Sequence, residues 1–283
     1  MRLLSRKLLK YTLGALFLSQ SLTVLPVFAA SQRRIMVLPF RNLSQQTADN
    51  WLSDSFSESL IMGMGQVRSL RLIERSEIQH VVKEQAFMQS VLADDTRTPR
   101  LGQLLGAEYI VVGNFQRVGQ RIQINVRLVN VETGEIEGHS LTRVQGSFDR
   151  LFELQTELAE KLVQRLQANS PDQELRQIKS SIQLTQSTRA HEFYIRGLSL
   201  LTPLNSDKEL NLALTWFQKA VAEDPNYALA YAGLAEIHAR RALSPLTYLS
   251  HQSNDTERAM FYAQKASSLK PESTDSYLAL SYA

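Results

Sequence analysis

EYIVVGNFQRVGQRIQINVRLVNVETGEIEGHSLTRVQG, residues Glu108–Gly146, is the stretch that decides the fold. In its middle Ile122, Ile124, Val126 and Leu128 alternate with Gln123, Asn125 and Arg127. That two-residue period belongs to a strand with one dry face and one wet face. Gly119-Gln120 separates this run from the one before it, and Thr133-Gly134 separates it from the one after. Glycine supplies the backbone angles that tight hairpins need. The reading is an antiparallel meander of Glu108–Val118, Arg121–Val131 and Glu135–Gln145.

Upstream, Arg34–Phe40 reads as a buried strand stopped by Pro39. From Asp49 to Met64, Leu52, Phe56, Leu60 and Met64 recur every fourth residue, which predicts a helix with one core stripe. Gly63 and Gly65 lie at its end. They follow the helix instead of opening one, so a helix terminus fits them better than a phosphate loop. Leu70–Glu74 reads as a strand and Ser76–Ala86 as a helix. Asp94 and Asp95 point in different directions and are taken as a solvated loop, with metal or acid–base work the lesser reading. Thr98-Pro99 opens a short helix, Thr as cap and Pro in the first turn, and Gly106 closes it. Asp149–Leu166 predicts a long helix with Leu151, Leu154, Leu158, Leu162 and Leu166 on one side. The expected class is α/β, a mixed sheet with helices that ends in the meander, followed by an all-α part.

Downstream, Ala168–Gln186 is polar and reads as a bridge, with a helix an option over Leu175–Leu184. Beyond it Ala213, Phe217, Ala220 and Pro225 return at the same spacing as Ala259, Ala263, Ala266 and Pro271. Such self-similarity marks a repeat of paired helices.

The 283 residues are 43% apolar and 21% charged, a globular composition, and contain no cysteine. Disulfides, thiolate metal sites and a lipid-modified cysteine are therefore excluded. The net charge of +3 is concentrated in Arg2, Arg6, Lys7 and Lys10. Without the first 29 residues 27 Lys and Arg face 28 Asp and Glu. The basicity belongs to a targeting segment and does not argue for nucleic acid. A basic Arg2–Lys10, an apolar Leu13–Leu25 and Val27-Phe28-Ala29 make a signal peptide, with cleavage expected after Ala29 or Ala30. An uncleaved anchor is the alternative. The expected destination is the periplasm or cell envelope of a bacterium.

VLPFRNLS at Val37–Ser44, LIERSEIQHVVKEQ at Leu72–Gln85, LGQLLGAEYIVVGNF at Leu101–Phe115, LVNVETGEI at Leu128–Ile136 and FELQTELAEKL at Phe152–Leu162 resemble the CsgG / FlgO / TolB-N-terminal-like group of envelope proteins. The resemblance covers about Arg34–Leu166. It implies a soluble envelope domain with no activity of its own. It departs from the channel members, because neither the Val118–Arg121 turn nor the connection after Gly146 holds a pair of the ~9–11-residue strands that a membrane barrel needs. The later helices resemble tetratricopeptide repeats over about His191–Ala283. Tyr277 and Leu280 would start a third repeat that the chain does not finish, so the sequence looks cut short.

The expected organisation is a signal peptide over residues 1–29, the α/β domain over 30–168, a linker over 169–188 and the repeats over 189–283. The resemblance implies a peptide-binding groove lined by His191, Tyr194, Leu198 and Leu201 from one repeat and Leu229, Ala232, Glu236 and Ala239 from the next. The alternative for these residues is packing between repeats.

Chemistry is poorly served elsewhere. His80, His139, His191, His238 and His251 show no metal-ligand spacing. Glu132 and Glu135 flank a turn and read as hairpin solvation, not as a glycosidase pair. Arg117, Arg121 and Arg127 lack the interleaved aromatics of a nucleic-acid strip. No enzyme, cofactor, metal or nucleic-acid partner is expected. The leading expectation is an exported scaffold that holds proteins or peptides in the repeat groove and self-associates through its first domain. Peripheral contact with the outer membrane is compatible with it. The alternatives are a component of an oligomeric secretion channel and the ligand-sensing domain of a signalling protein.

Overall fold

The structure is a computed structural model. It describes residues 32–44, 46–74, 77–78, 98–136, 141–166, 171–202, 205–243 and 254–271. The signal peptide with Ala29 and Ala30, the bulk of the Ser76–Ala86 helix, Asp94, Asp95, His80, His139, His251, Tyr277 and Leu280 lie outside the described residues.

Six strands form one mixed sheet: β1 (Arg33–Val37), β2 (Arg41–Asn42), β3 (Leu70–Leu72), β4 (Tyr109–Val118), β5 (Arg121–Asn130) and β6 (Thr142–Ser147). The order is β3-β1-β4-β5-β6, and β2 continues beside β4 after Pro39 interrupts β1. β1 runs parallel to β3 and β4, while β4–β5 and β5–β6 are antiparallel. Helix α1 (Trp51–Met64) connects β1 and β2 to β3. Parallel neighbours require such a crossover, so β1 lies between parallel partners and is covered on both faces.

The alternation of side chains sorts them into two cores. Ile35, Val37, Val111, Phe115, Ile122, Ile124, Val126 and Leu128 enter the large core, with α1 and α3 (Leu151–Leu166). Met36, Leu38, Ile110 and Val129 enter a smaller core with Leu101 of α2 (Thr98–Leu105). The predicted leucine stripe of α3 is buried throughout, Leu166 being the most exposed at 4%.

The first hairpin turns at Gly119, whose φ is +59°. The third strand differs from expectation. Asn130 Oδ1 accepts the Glu132 and Thr133 N–H groups, Gly134 adopts φ +70°, and Ile136 makes one isolated bridge to Val129. The side-chain-capped turn ends before Glu135, whose carbonyl oxygen accepts the Asn130 N–H across it. β6 then pairs with the other half of β5, from Arg121 to Val126.

Helix α4 (Asp172–Ile182) occupies the stretch read as a polar bridge, and its Ile178 and Ile182 are buried. Gly63 explains how α1, α3 and α4 meet. A Cβ there would lie 2.8 Å from Ile182 Cδ1 and 3.3 Å from Ala159 Cβ. Gly63 is thus a close-packing position.

Four further helices follow: α5 (Thr188–Leu198), α6 (Asp207–Glu223), α7 (Ala228–Ala242) and α8 (Asp255–Leu269). α5 packs on α6, α6 on α7 and α7 on α8. Ser206 and Glu209 form a reciprocal capping box that starts α6. Ala213, Phe217, Ala220, Ala259, Ala263 and Ala266 are all buried. The Phe217 ring is gripped by two glycines: a Cβ on Gly197 or on Gly233 would approach it to 2.7 Å. The small–large spacing seen in the sequence is therefore the spacing of helix contacts. Residues Gln32–Ala283 make one compact unit.

Candidate partner-binding site

The residues expected to line a groove divide into two sets. His191, Tyr194, Leu201, Leu229 and Ala239 are buried, each 8% exposed or less. Leu198, Ala232 and Glu236 are half-buried. Leu229 and Ala239 are covered by the neighbours of α7, which packs on α6 and α8, and His191 and Tyr194 by those of α5. Besides α6 and α7, it lies on α1. The chain's own first half thus occupies part of the face assigned to a ligand.

His191 marks that joint. Its Nε2 lies 2.8 Å from Ser55 Oγ on α1, and its Nδ1 lies 3.0 Å from the Tyr227 hydroxyl. Gln155 Nε2 on α3 donates to Ser55 Oγ at 2.8 Å and approaches the Ser55 carbonyl oxygen at 3.4 Å. That carbonyl can only accept, so the Gln155 amide nitrogen faces it. Ser55 Oγ accepts from Gln155, and the His191 ring bridges two hydroxyls, Ser55 through Nε2 and Tyr227 through Nδ1. Trp51 and Phe152 stand edge-on to the imidazole, with ring centroids 6.2 and 5.3 Å away. Burial without a counter-charge pushes the His191 pKa down to about 3. The imidazole is neutral at physiological pH.

A serine hydroxyl on a neutral imidazole is the pairing of a nucleophile and its base. Here Ser55 is fully buried and His191 is 6% exposed, so a substrate has no route to either. The arrangement is a polar tie between four elements. Sequence reading missed Ser55, Gln155 and Tyr227, since the three lie at unrelated positions and carry no shared motif.

More ties secure the same joint. Ser199 Oγ donates to Asp54 Oδ2 at 2.9 Å, and Arg196 reaches the Ala48 carbonyl at 3.4 Å. Asp49, 3% exposed, pairs with Arg117 at 2.9 Å. The Arg117 guanidinium stacks 3.6 Å above the Phe148 ring. Arg117 is thus part of an internal pair and not of a basic strip. Glu132 and Glu135 are exposed at the turn.

His238 sits between α7 and α8. Its Nδ1 meets Asp255 Oδ1 at 2.6 Å, and its ring stacks on Tyr262. Burial lowers its pKa, and Asp255 opposes the shift. Among the described residues no three His, Asp or Glu side chains gather as a metal site, and no helix is long and apolar enough to cross a membrane.

Half-exposed and exposed positions remain on the outer helices. Glu236 and Arg240 pair along α7. Met260 and Phe261 on α8 are 46% and 63% exposed. These surfaces can offer apolar and charged contacts to another chain.

The family model described as "Curli production assembly/transport component CsgG" matches residues 18–120. This stretch covers β1 to the end of β4 and is under half of the chain. A curated relative from Rhizobium meliloti (strain 1021), named "Putative adenylate cyclase 3", is 24% identical over 206 residues. The match takes in 72% of this chain and 32% of the relative. The chain spans about a third of that relative's length. Among solved structures, the LpoB C-terminal domain from Salmonella enterica has a TM-score of 0.36 at 13% identity, covering 43% of this chain and 87% of that one. TolB from Acinetobacter baumannii has a TM-score of 0.35 at 11% identity, covering 50% and 30%. A PelC dodecamer from Paraburkholderia phytofirmans has a TM-score of 0.30 at 14% identity, covering 49% and 90%. Likenesses of that size carry no argument.

Proposed function

We propose that this is a non-catalytic protein of the bacterial cell envelope that holds partner proteins in an assembly or secretion complex. The observation that carries the reading is the CsgG match over residues 18–120, joined in one compact unit to stacked helix pairs. The α/β part is the scaffold and self-associates. The helices α5–α8 are tetratricopeptide-like pairs that present the partner surface. The buried polar tie at His191 supports this division of labour, because it fixes the helices on the scaffold. The partner surface is centred on Leu198, Ala232 and Glu236, the members of the expected groove that remain accessible.

Site-specific photo-crosslinkers at Ala232 and Glu236, in cells expressing the full chain, test the reading. A discrete adduct of one defined mass at these positions, absent from a crosslinker at Lys219, is expected. A smear equal at all three positions refutes it. Fractionation is the parallel check: the mature chain belongs with the periplasm or envelope, and cytoplasmic recovery counts against the reading.

A second reading is favoured by the match to the Rhizobium relative. The chain would then be an accessory module of a larger signalling protein. A fused catalytic segment in the same gene would select this reading.

A further inference from the structure

Helices α1 and α3 cover one face of the sheet, and the other face is covered only in part. There α2 packs near Ile110 and Val129. Farther along the same face the register builds a polar grid, on the side opposite Phe115, Ile124 and Val126. One row is Arg41–Asn114–Asn125–Arg143, and the next is Gln116–Gln123–Gln145. Val118, Arg121 and Ser147 make a third row. Hydrogen bonds agree with the register. Asn125 Oδ1 accepts from Arg143 Nε at 3.1 Å and from Gln123 Nε2 at 3.3 Å, and Asn125 Nδ2 donates to Asn114 Oδ1 at 3.0 Å.

The charge on these rows is one-sided. Arg41, Arg121 and Arg143 are exposed, and no Asp or Glu occupies a position in the three rows. One carboxylate reaches a corner, where Asp149 accepts the Ser147 hydroxyl. Beyond residue 29 the chain carries 27 Lys and Arg against 28 Asp and Glu, so an acid-free stretch departs from its average surface. The cations are also spread. Three strand spacings, ~14 Å, separate Arg41 from Arg143, and four residues of β5, again ~14 Å, separate Arg121 from Asn125. That layout suits an extended acidic surface better than one small anion.

We propose that this open sheet face docks an acidic surface of a partner protein. Its cations are all arginine, the residue enriched in protein interfaces where lysine is depleted. Guanidinium groups present paired donors that match carboxylates. The Asn and Gln amides both donate and accept, which serves peptide groups and is half wasted on a polyanion that only accepts. Val118 and Leu43, 70% and 47% exposed, border the grid and add apolar contact. The Asn125 hydrogen bonds hold the centre in place before docking, which lowers the ordering cost. Two copies of this face repel each other, arginine against arginine, so its occupant is a different surface. The inference rests on the reading of the chain as a holder of proteins. It concerns a different face from Ala232 and Glu236, so crosslinks at those positions survive its failure.

The test titrates labelled poly-L-glutamate into the full chain and follows fluorescence anisotropy. Polyphosphate and phosphatidylglycerol vesicles are the comparison probes. Saturable polyglutamate binding is expected, weakened at least about tenfold in Arg41→Ala/Arg121→Ala/Arg143→Ala and unchanged in Lys219→Ala. Arg41→Lys/Arg121→Lys/Arg143→Lys keeps the charge but loses the paired donors, and it should bind more weakly than wild type. Circular dichroism checks that each variant keeps its fold. Absence of polyglutamate binding, or binding that the alanine variant leaves unchanged, overturns the proposal. Polyphosphate bound as tightly as polyglutamate and fully retained by the lysine variant overturns it in favour of a phosphate polyanion. Pelleting with the vesicles that the alanine variant loses overturns it in favour of a membrane. Self-association in sedimentation that the alanine variant loses overturns it in favour of a second copy.

Discussion

The neutral state of His191 makes folding sensitive to mild acid, and the size of the effect can be worked out. In the unfolded chain the imidazole titrates near its ordinary value of about 6.5. In the folded protein burial holds it near 3. Between these values the unfolded state binds a proton that the folded state refuses, so stability falls as pH falls. Above about pH 6.5 the group is neutral in both states and contributes no slope. Below it the loss approaches about 1.4 kcal/mol per pH unit and ends at the folded pKa. At pH 5 the cost is roughly 2 kcal/mol, and at pH 4 roughly 3.4 kcal/mol. These are sizeable shares of the ~5–15 kcal/mol that keeps a domain folded. The assay is urea unfolding of wild type and His191→Gln at a series of pH values from about 7.5 to 4. Glutamine can donate to one neighbour and accept from the other, and it does not titrate. It should cost about 1–3 kcal/mol at pH 7 through imperfect geometry and should then lose stability less steeply in acid. Other titrating groups, His238 among them, contribute equally to both proteins and cancel in the difference. Equal slopes for the two proteins would refute the reasoning. So would a His191 C2–H proton resonance that moves with a midpoint between pH 5 and 7.

Three further outcomes follow from the packing. Gly113→Ala places a Cβ 2.2 Å from the Phe40 ring; it should destabilise by about 1–3 kcal/mol or more through overpacking, and Phe40→Leu should recover part of the loss in thermal melts. Phe217→Ala empties the space between Gly197 and Gly233; it should cost about 3–5 kcal/mol and lower helical circular dichroism, whereas the exposed Phe261→Ala should change stability by less than about 0.5 kcal/mol. Arg117→Ala leaves buried Asp49 without its ion pair; roughly 2–3 kcal/mol is expected, below the ~3–5 of a fully buried pair because the Arg117 side chain is 22% exposed, and Asp49→Ala in addition should restore stability in urea titrations.

The periodic parts of the fold were legible. The alternation from Ile122 to Leu128 becomes the wall of the large core, and the leucines of α3 all face it, because burial on one face leaves a period in the sequence. The third strand was legible only in part. The turn before it is capped by the Asn130 side chain, a polar contact that alternation cannot register. The role of Gly63 was hidden, since a glycine at a helix end and a glycine under a crossing helix look the same until α4 is placed on α1. The groove was the least legible. Tetratricopeptide-like spacing tells which residues face between helices, but not that α1 already covers part of that face. His191 and Tyr194 are apt residues for a ligand groove and equally apt for an internal joint. Only the distance to Ser55, 136 positions away in sequence, decides between the two.

The joint also determines what the helices can do. A tethered repeat domain would sample many orientations, and its partner would pay the ordering entropy on binding. Here one apolar core runs without a break from Ile35 of β1 through Ile178 of α4 and Phe217 of α6 to Ala266 of α8. The hydrogen-bond chain from Gln155 to Tyr227 fixes the register of that core, because sliding α5 on α1 would break the buried Ser55–His191 bond, and a buried hydrogen bond lost without replacement is costly. The outer faces of α7 and α8 are therefore held in a set direction relative to the sheet. If the sheet domain assembles with its own copies, each copy displays those faces at a fixed angle. A complementary array of partners would then gain through multivalency without new contacts at any single site. Loosening the joint would reduce that gain while leaving one-to-one binding intact, and this separates a scaffold from a simple binding module.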